Sequence, residues 1–270
     1  MSHRRIASFP LVWAAAFVAL VLVLPSDSRT GVFLAQNELS KGLATVGCFV
    51  AAYTFERGAY MRRAWSFNAW CYLLLLSRDL TTNLVGPDAV FLGIKVVAIL
   101  GGVVFAANLS SCIGVALLAR AWSIAGLELP GSRTSRYAVM LVAAMLAVGI
   151  SGSDLVHDSH KLFAGDLASM HHVVSDLGDI FGLALIAPVL LTAIAMRGGV
   201  LTWPWALLTA SLVFWLLYDA ISLIEESLPG HETAARVVRE TFRALACATE
   251  FAAGLAQRRV LIAPADADES

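Results

Sequence analysis

The sequence predicts an all-α fold, a polytopic transmembrane helix bundle of about eight helices, with seven as the alternative and both termini cytoplasmic. Three observations predict it. Of the 270 residues, 59% are hydrophobic and 14% charged, whereas soluble domains carry about 25% charged residues. The apolar residues fall in long runs, as helices that face hydrocarbon require. Arginines gather in alternate loops, the pattern that sets orientation in a membrane. A formal net charge of −1 and the lack of a basic tract outside the short loops exclude bulk nucleic-acid binding.

The first span, 9–24, follows Arg4 and Arg5. Pro25 and the polar residues after it make a poor cleavage site, so the span reads as a retained helix or signal anchor. The second and third spans are 39–55 and 64–84, with Arg78 and Asp79 towards the end of the third. The fourth, 89–119, is longer than the roughly 20 residues that cross about 30 Å of hydrocarbon, so it must tilt or project. Lys95 within it can pair with Asp79 or Glu56, or snorkel outward along its own stem. A short fifth span covers 136–151, followed by 172–196, 201–223 and 233–256. Residues 1–260 thus read as one integral-membrane domain, and 261–270 as a disordered acidic cytoplasmic tail. No output module is expected.

Arg57, Arg62 and Arg63 follow the second span; Arg120, Arg133 and Arg136 follow the fourth. Arg197 follows the sixth, and Arg258 and Arg259 the eighth. The opposite loops offer mainly Arg29, Lys41, Arg78 and Lys161. This bias puts both termini on the cytoplasmic side; the membrane is expected to be the inner membrane of a bacterium. Cys48, Cys71, Cys112 and Cys247 lack CxxC spacing and read as small hydrophobes.

Candidate chemistry gathers around 170–197. His171 and His172 open the sixth span, Asp176 and Asp179 follow within two turns, and Pro188 lies beyond its middle. Carboxylates in hydrocarbon are costly and need a partner, which makes them candidates for ligand or proton sensing. Pro188 removes a hydrogen bond to Ala184 and predicts a kink. Gly178 and Gly182 form a GxxxG step for close helix approach. Asp219 is the buried carboxylate of the seventh span, and Glu225 lies at its end. In the eighth span Arg236, Arg239, Glu240, Arg243 and Glu250 recur at helical spacing and form one polar stripe. That stripe is expected to face the bundle and pair with Asp219, Asp179 or Glu225. Along the fourth span Ala98, Gly102, Ala106, Ser110 and Gly114 fall every four residues, a ridge for packing another helix or subunit.

The polar stretch between the fifth and sixth spans reads as an external loop holding His157, His160, His171 and His172. His157, His160 and His171 have the donor chemistry for zinc or copper, and imidazole titrating near about pH 6.5 suits a sensor of acidity. A solvated loop with no special role is the leading reading of that stretch. GxSxG, HExxH, P-loop and CxxC signatures are absent, so neither soluble catalysis nor a cofactor is expected.

Residues 175–191, SDLGDIFGLALIAPVLL, have the spacing GD-x2-G-x5-P-x-LL. This resembles one helix of the membrane-associated sensor domains found before bacterial histidine kinases and diguanylate cyclases, which usually have eight helices. Asp179, Gly182 and Pro188 are the matching positions; the proline-rich, tryptophan-containing early motif of that family is missing here. The resemblance implies signal reception. The leading expectation is therefore a membrane receptor or sensor that answers an external ligand or protons and signals through a separate protein partner or a second copy. A small-solute or proton-coupled transporter is the alternative, and a structural accessory subunit the third reading.

Overall fold

Helix is the one conformation these apolar runs can adopt with every backbone polar group satisfied inside its own segment. The structure, a computed structural model, describes residues 3–86, 89–91, 94–126, 128–166, 169–225 and 232–262. Among them the helices are α1 (His3–Val23), α2 (Ser26–Thr54), α3 (Tyr60–Val85), α4 (Val96–Ala119), the single turn α5 (Ala121–Ile124) and α6 (Arg133–Phe163). Then come α7 (Met170–Ala184), α8 (Ile186–Ala195), α9 (Thr202–Glu225) and α10 (Glu232–Ile262). A two-residue antiparallel hairpin, β1 (Val90–Phe91) with β2 (Ile94–Lys95), precedes α4.

Several boundaries correct the sequence reading. The connection expected before the second span is helical: α2 starts at Ser26, so Arg29 and Lys41 belong to a helix and not to a loop. The over-long fourth span is the hairpin followed by a 24-residue helix, and Lys95 sits exposed at its N-cap. The short fifth span is a helix of 31 residues that takes in His157 and His160. Ser132 caps it by accepting a hydrogen bond from Ser135 N at 3.1 Å. Polar residues at helical spacing prolong a helix where water or a neighbouring helix receives them, and hydropathy alone does not register this. The acidic tail from 263 onward lies outside the described residues.

Among the described residues, five stretches are long and apolar enough to cross a membrane: Arg5–Val23, Val96–Ala119, Arg133–Phe163, His172–Ala195 and Thr202–Ile221. They turn that surface outward. Only 11% of the most apolar part of α6 is buried within the protein, and apolar area this extensive needs another covering. α10 is the opposite case. It carries the polar stripe, yet every residue from Ala244 to Glu250 is buried. An apolar exterior around a more polar centre is compatible with a membrane protein.

α10 packs against α9, α2 and α1; α2 packs on α3, α3 on α4, α4 on α7 and α8 on α9. These contacts close a ring of α2, α3, α4, α7/α8, α9 and α10. α1 lies outside it against α10 and α2, and α6 outside it against α7. Phe9 meets Phe251 at 5.3 Å and Phe17 meets Phe33 at 5.8 Å, fixing α1 along its length. α2 and α10 cross with backbones in contact. A methyl group on Gly47 would lie 2.9 Å from Phe251 O, and one on Gly254 would lie 3.0 Å from Gly47 Cα.

Overfilling a tight contact costs about 1–3 kcal/mol. Gly47→Ala and Gly254→Ala are each expected to lower the melting temperature of the detergent-purified protein. Gly102→Ala, which meets open space, is expected to leave it unchanged or raise it slightly.

Candidate functional site

Within the ring lies a cavity of about 130 Å³, walled by α3, α4, α7, α8, α9 and α10. The lining residues follow from helical spacing. On α9, Asp219, Trp215, Leu212 and Leu208 stand on successive turns of one face, and on α4 Asn108, Ser111, Val115 and Leu118 do the same. α7 brings Asp179 and Gly182 to the same space, and α10 brings Glu250. Gly178 lets α7 close on α4: a methyl there would stand 3.0 Å from the Asn108 side chain. The same asparagine holds the joint by donating to Val174 O at 3.3 Å.

The cavity has two polar ends and an aromatic middle. Asp179, Asp219 and Asn108 form the end away from the chain termini. Trp215 Nε1 donates to Tyr72 Oη at 3.1 Å across the middle. Glu250 is 4% exposed and accepts from the Cys48 thiol at 3.6 Å. Ser211 lies beside it but donates to Ala246 O at 2.9 Å. Three carboxyl groups therefore face one cavity with no lysine or arginine among its lining residues.

Among the described residues the arginines of α10 meet groups other than Asp179 and Asp219; the expected pairing with Glu225 involves a side chain outside the described residues. Glu240, 3% exposed, pairs with Arg243 on its own helix, and with Arg239 at 3.5 Å. Arg239 and Arg243 also lie over the Tyr218 ring at 5.7 and 5.6 Å, and Arg236 over Phe33 at 4.5 Å. Tyr218 and Asp219 are consecutive and so point about 100° apart. One faces the arginines and the other faces the cavity.

The remaining predicted residues are scattered. Asp176 stands one turn above Asp179, half-buried, with a buried oxygen that no described donor reaches. His172, His157 and His160 are exposed; the side chains of His171 and Glu225 lie outside the described residues. No group of three or more metal-ligating side chains occurs among the described residues. The helix is interrupted at Leu185, between α7 and α8, one residue beyond the carbonyl that Pro188 would obstruct. Of the small-residue ridge, Gly114 is buried against Asn68, Ala106 and Ser110 are half-buried, and Ala98 and Gly102 are exposed.

A second polar cluster went unread in the sequence. Lys41 on α2, 3% exposed, pairs with Asp79 on α3, 6% exposed. Arg78 Nη2 reaches the other carboxylate oxygen at 2.5 Å, and Asn37 Nδ2 donates to Asp79 Oδ2 at 2.8 Å. Asp79 thus takes Lys41 as its cross-helix partner, not Lys95. The signal was present: Phe33, Gln36, Ser40, Ala44, Gly47 and Ala51 mark one buried face of α2. Starting that helix at 39 concealed the face.

Searches against protein-family models, curated proteins and solved structures returned no match.

Removing one partner of a buried ion pair costs about 3–5 kcal/mol, whereas replacing both by apolar groups is often neutral. Asp79→Asn is expected to destabilise strongly, and the double change Lys41→Met with Asp79→Leu to recover most of the loss. Thermal unfolding of the purified variants checks this.

Proposed function

We propose that the chain is a multi-pass receptor of the bacterial inner membrane that takes an external small cation, or protons, in its central cavity. The observation that carries this reading is the trio Asp179, Asp219 and Glu250 facing one cavity without a cation among its walls. Carboxylates inside a bundle are functional by default and need a neutralising partner. A proton shared between them or a bound cation supplies it. In this reading α2, α3 and α10 cross alongside the five apolar helices, because protein covers their polar faces. That gives eight crossings with both termini cytoplasmic, and the arginine bias in the loops supports that orientation.

At the end of the cavity towards the chain termini, the wall residues Leu118 and Val189 and the neighbouring Trp65 and Trp205 are fully buried and packed together. A dense floor suits a binding site better than a conduit. The output then passes through motion of helices: the interruption at Leu185 lies between two wall residues, Leu183 and Val189, so occupancy can tilt α7 against α8. A separate partner, or a second copy, reads that tilt. The positions that resemble the sensor-domain helix, Asp179, Gly182 and Pro188, lie in this same segment. The interruption also favours a second reading, a proton- or cation-coupled transporter, since discontinuous helices flank transporter sites.

Acidification of the purified protein is expected to change tryptophan fluorescence through Trp215, one turn from Asp219, and Asp219→Asn is expected to abolish the change. In proteoliposomes the receptor reading expects no proton or sodium flux above that of empty vesicles. Flux lost in Asp179→Asn would move the assignment to the transporter. An acid response that Asp219→Asn leaves intact would remove the cavity as the site.

A further inference from the structure

Resting on the cation-binding reading above, we infer that the cavity's ligand is a short aliphatic diamine, with one ammonium held by Asp179 and Asp219 and the other by Glu250. The cavity's chemistry is bipolar, and this selects among cations. A metal ion wants about six to eight oxygen ligands at one point, but the described residues hold no such cluster. Here the acids are divided between the two ends instead. The walls between them are mainly apolar and aromatic, Leu75, Leu212, Trp215 and Tyr72, with Asn68 and Ser111 as polar members. Rings and aliphatic walls suit methylene groups and the faces of ammonium ions.

Size and spacing agree. A cavity of about 130 Å³ is close to an engineered one of about 150 Å³ that admits benzene, so its guest has about six to eight heavy atoms. Asp219 and Ser211, the latter beside Glu250, are eight residues apart on α9, which is about 12 Å of helical rise. Two charge-assisted hydrogen bonds of about 2.8 Å each leave about 6 Å between the nitrogens. That is the span of a chain of about four or five carbons at ordinary bond lengths. Glu250 is the residue that decides for a diamine. A monoamine would leave this carboxyl, 4% exposed, facing the ligand's hydrocarbon end, a costly arrangement.

The test is calorimetric titration of the full-length protein in detergent with cadaverine and with pentylamine, which have the same carbon chain and differ by one amino group. Cadaverine is expected to bind at least about tenfold tighter. Glu250→Gln is expected to abolish the preference for cadaverine while pentylamine still binds, as tightly as before or tighter, which also shows that the variant is folded. Asp219→Asn is expected to weaken both. Equal affinity of the two amines for the unaltered protein overturns the proposal, and so does a Glu250→Gln variant that loses both amines alike. If neither amine binds while the acid-dependent fluorescence persists and still requires Asp219, the diamine is overturned and the proton-binding reading stands. If that response is also missing, both fall.

Discussion

The crossing of α2 and α10 at Gly47 and Gly254 governs the rest of the bundle. Backbones can meet only where neither helix carries a Cβ, and here each glycine faces the other helix's main chain. Bringing α10 this deep buries part of its polar stripe between α9, α2 and α1, where apolar side chains would suit most positions better. The chain then has to satisfy each charge locally. Lys41 reaches Asp79 and Arg243 reaches Glu240; Glu250, by contrast, meets the Cys48 thiol, which carries no countercharge. Ala44, Ala51, Ala252 and Ala253, all buried, keep the remaining contact thin. Small residues let van der Waals packing and interhelical hydrogen bonds do what the hydrophobic effect cannot do between helices in lipid.

A consequence of this packing is the segregation of charge across α9. Basic groups collect where α2, α3 and α10 meet, around Lys41, Arg78, Arg239 and Arg243, with Asp79 and Glu240 between them. Acidic groups collect on the cavity side, as Asp179, Asp219 and Glu250. Tyr218 stands on the dividing helix and presents its ring to the two arginines, which keeps them from the neighbouring Asp219. Had the stripe turned towards the cavity, its arginines would stand against these carboxylates within the chain.

Much of the helical organisation was legible because hydropathy and period are local properties. Asp179, Asp219, the interruption near Pro188 and the Gly178 approach could be marked from spacing alone. Lys41 and Asp79 could not be matched, since 38 residues separate them and the helix carrying Lys41 begins well before its apolar run. Glu250 was visible as one member of a stripe, but only the packing shows that, two turns beyond Arg243 on that same face, it meets Cys48 and the cavity. Asn68, Asn108, Tyr72 and Trp215 gave no sign, because ordinary polar and aromatic residues become significant only by what they face.

By itself the sequence determined a helical, predominantly apolar chain with charges where hydrocarbon makes charges costly. Composition and period are enough for that, because a helix closes its own hydrogen bonds and needs no distant partner. Tertiary structure decided which charges meet. That choice depends on how closely two backbones approach, and a pair of glycines about 200 residues apart in the chain sets that distance only after the helices have packed.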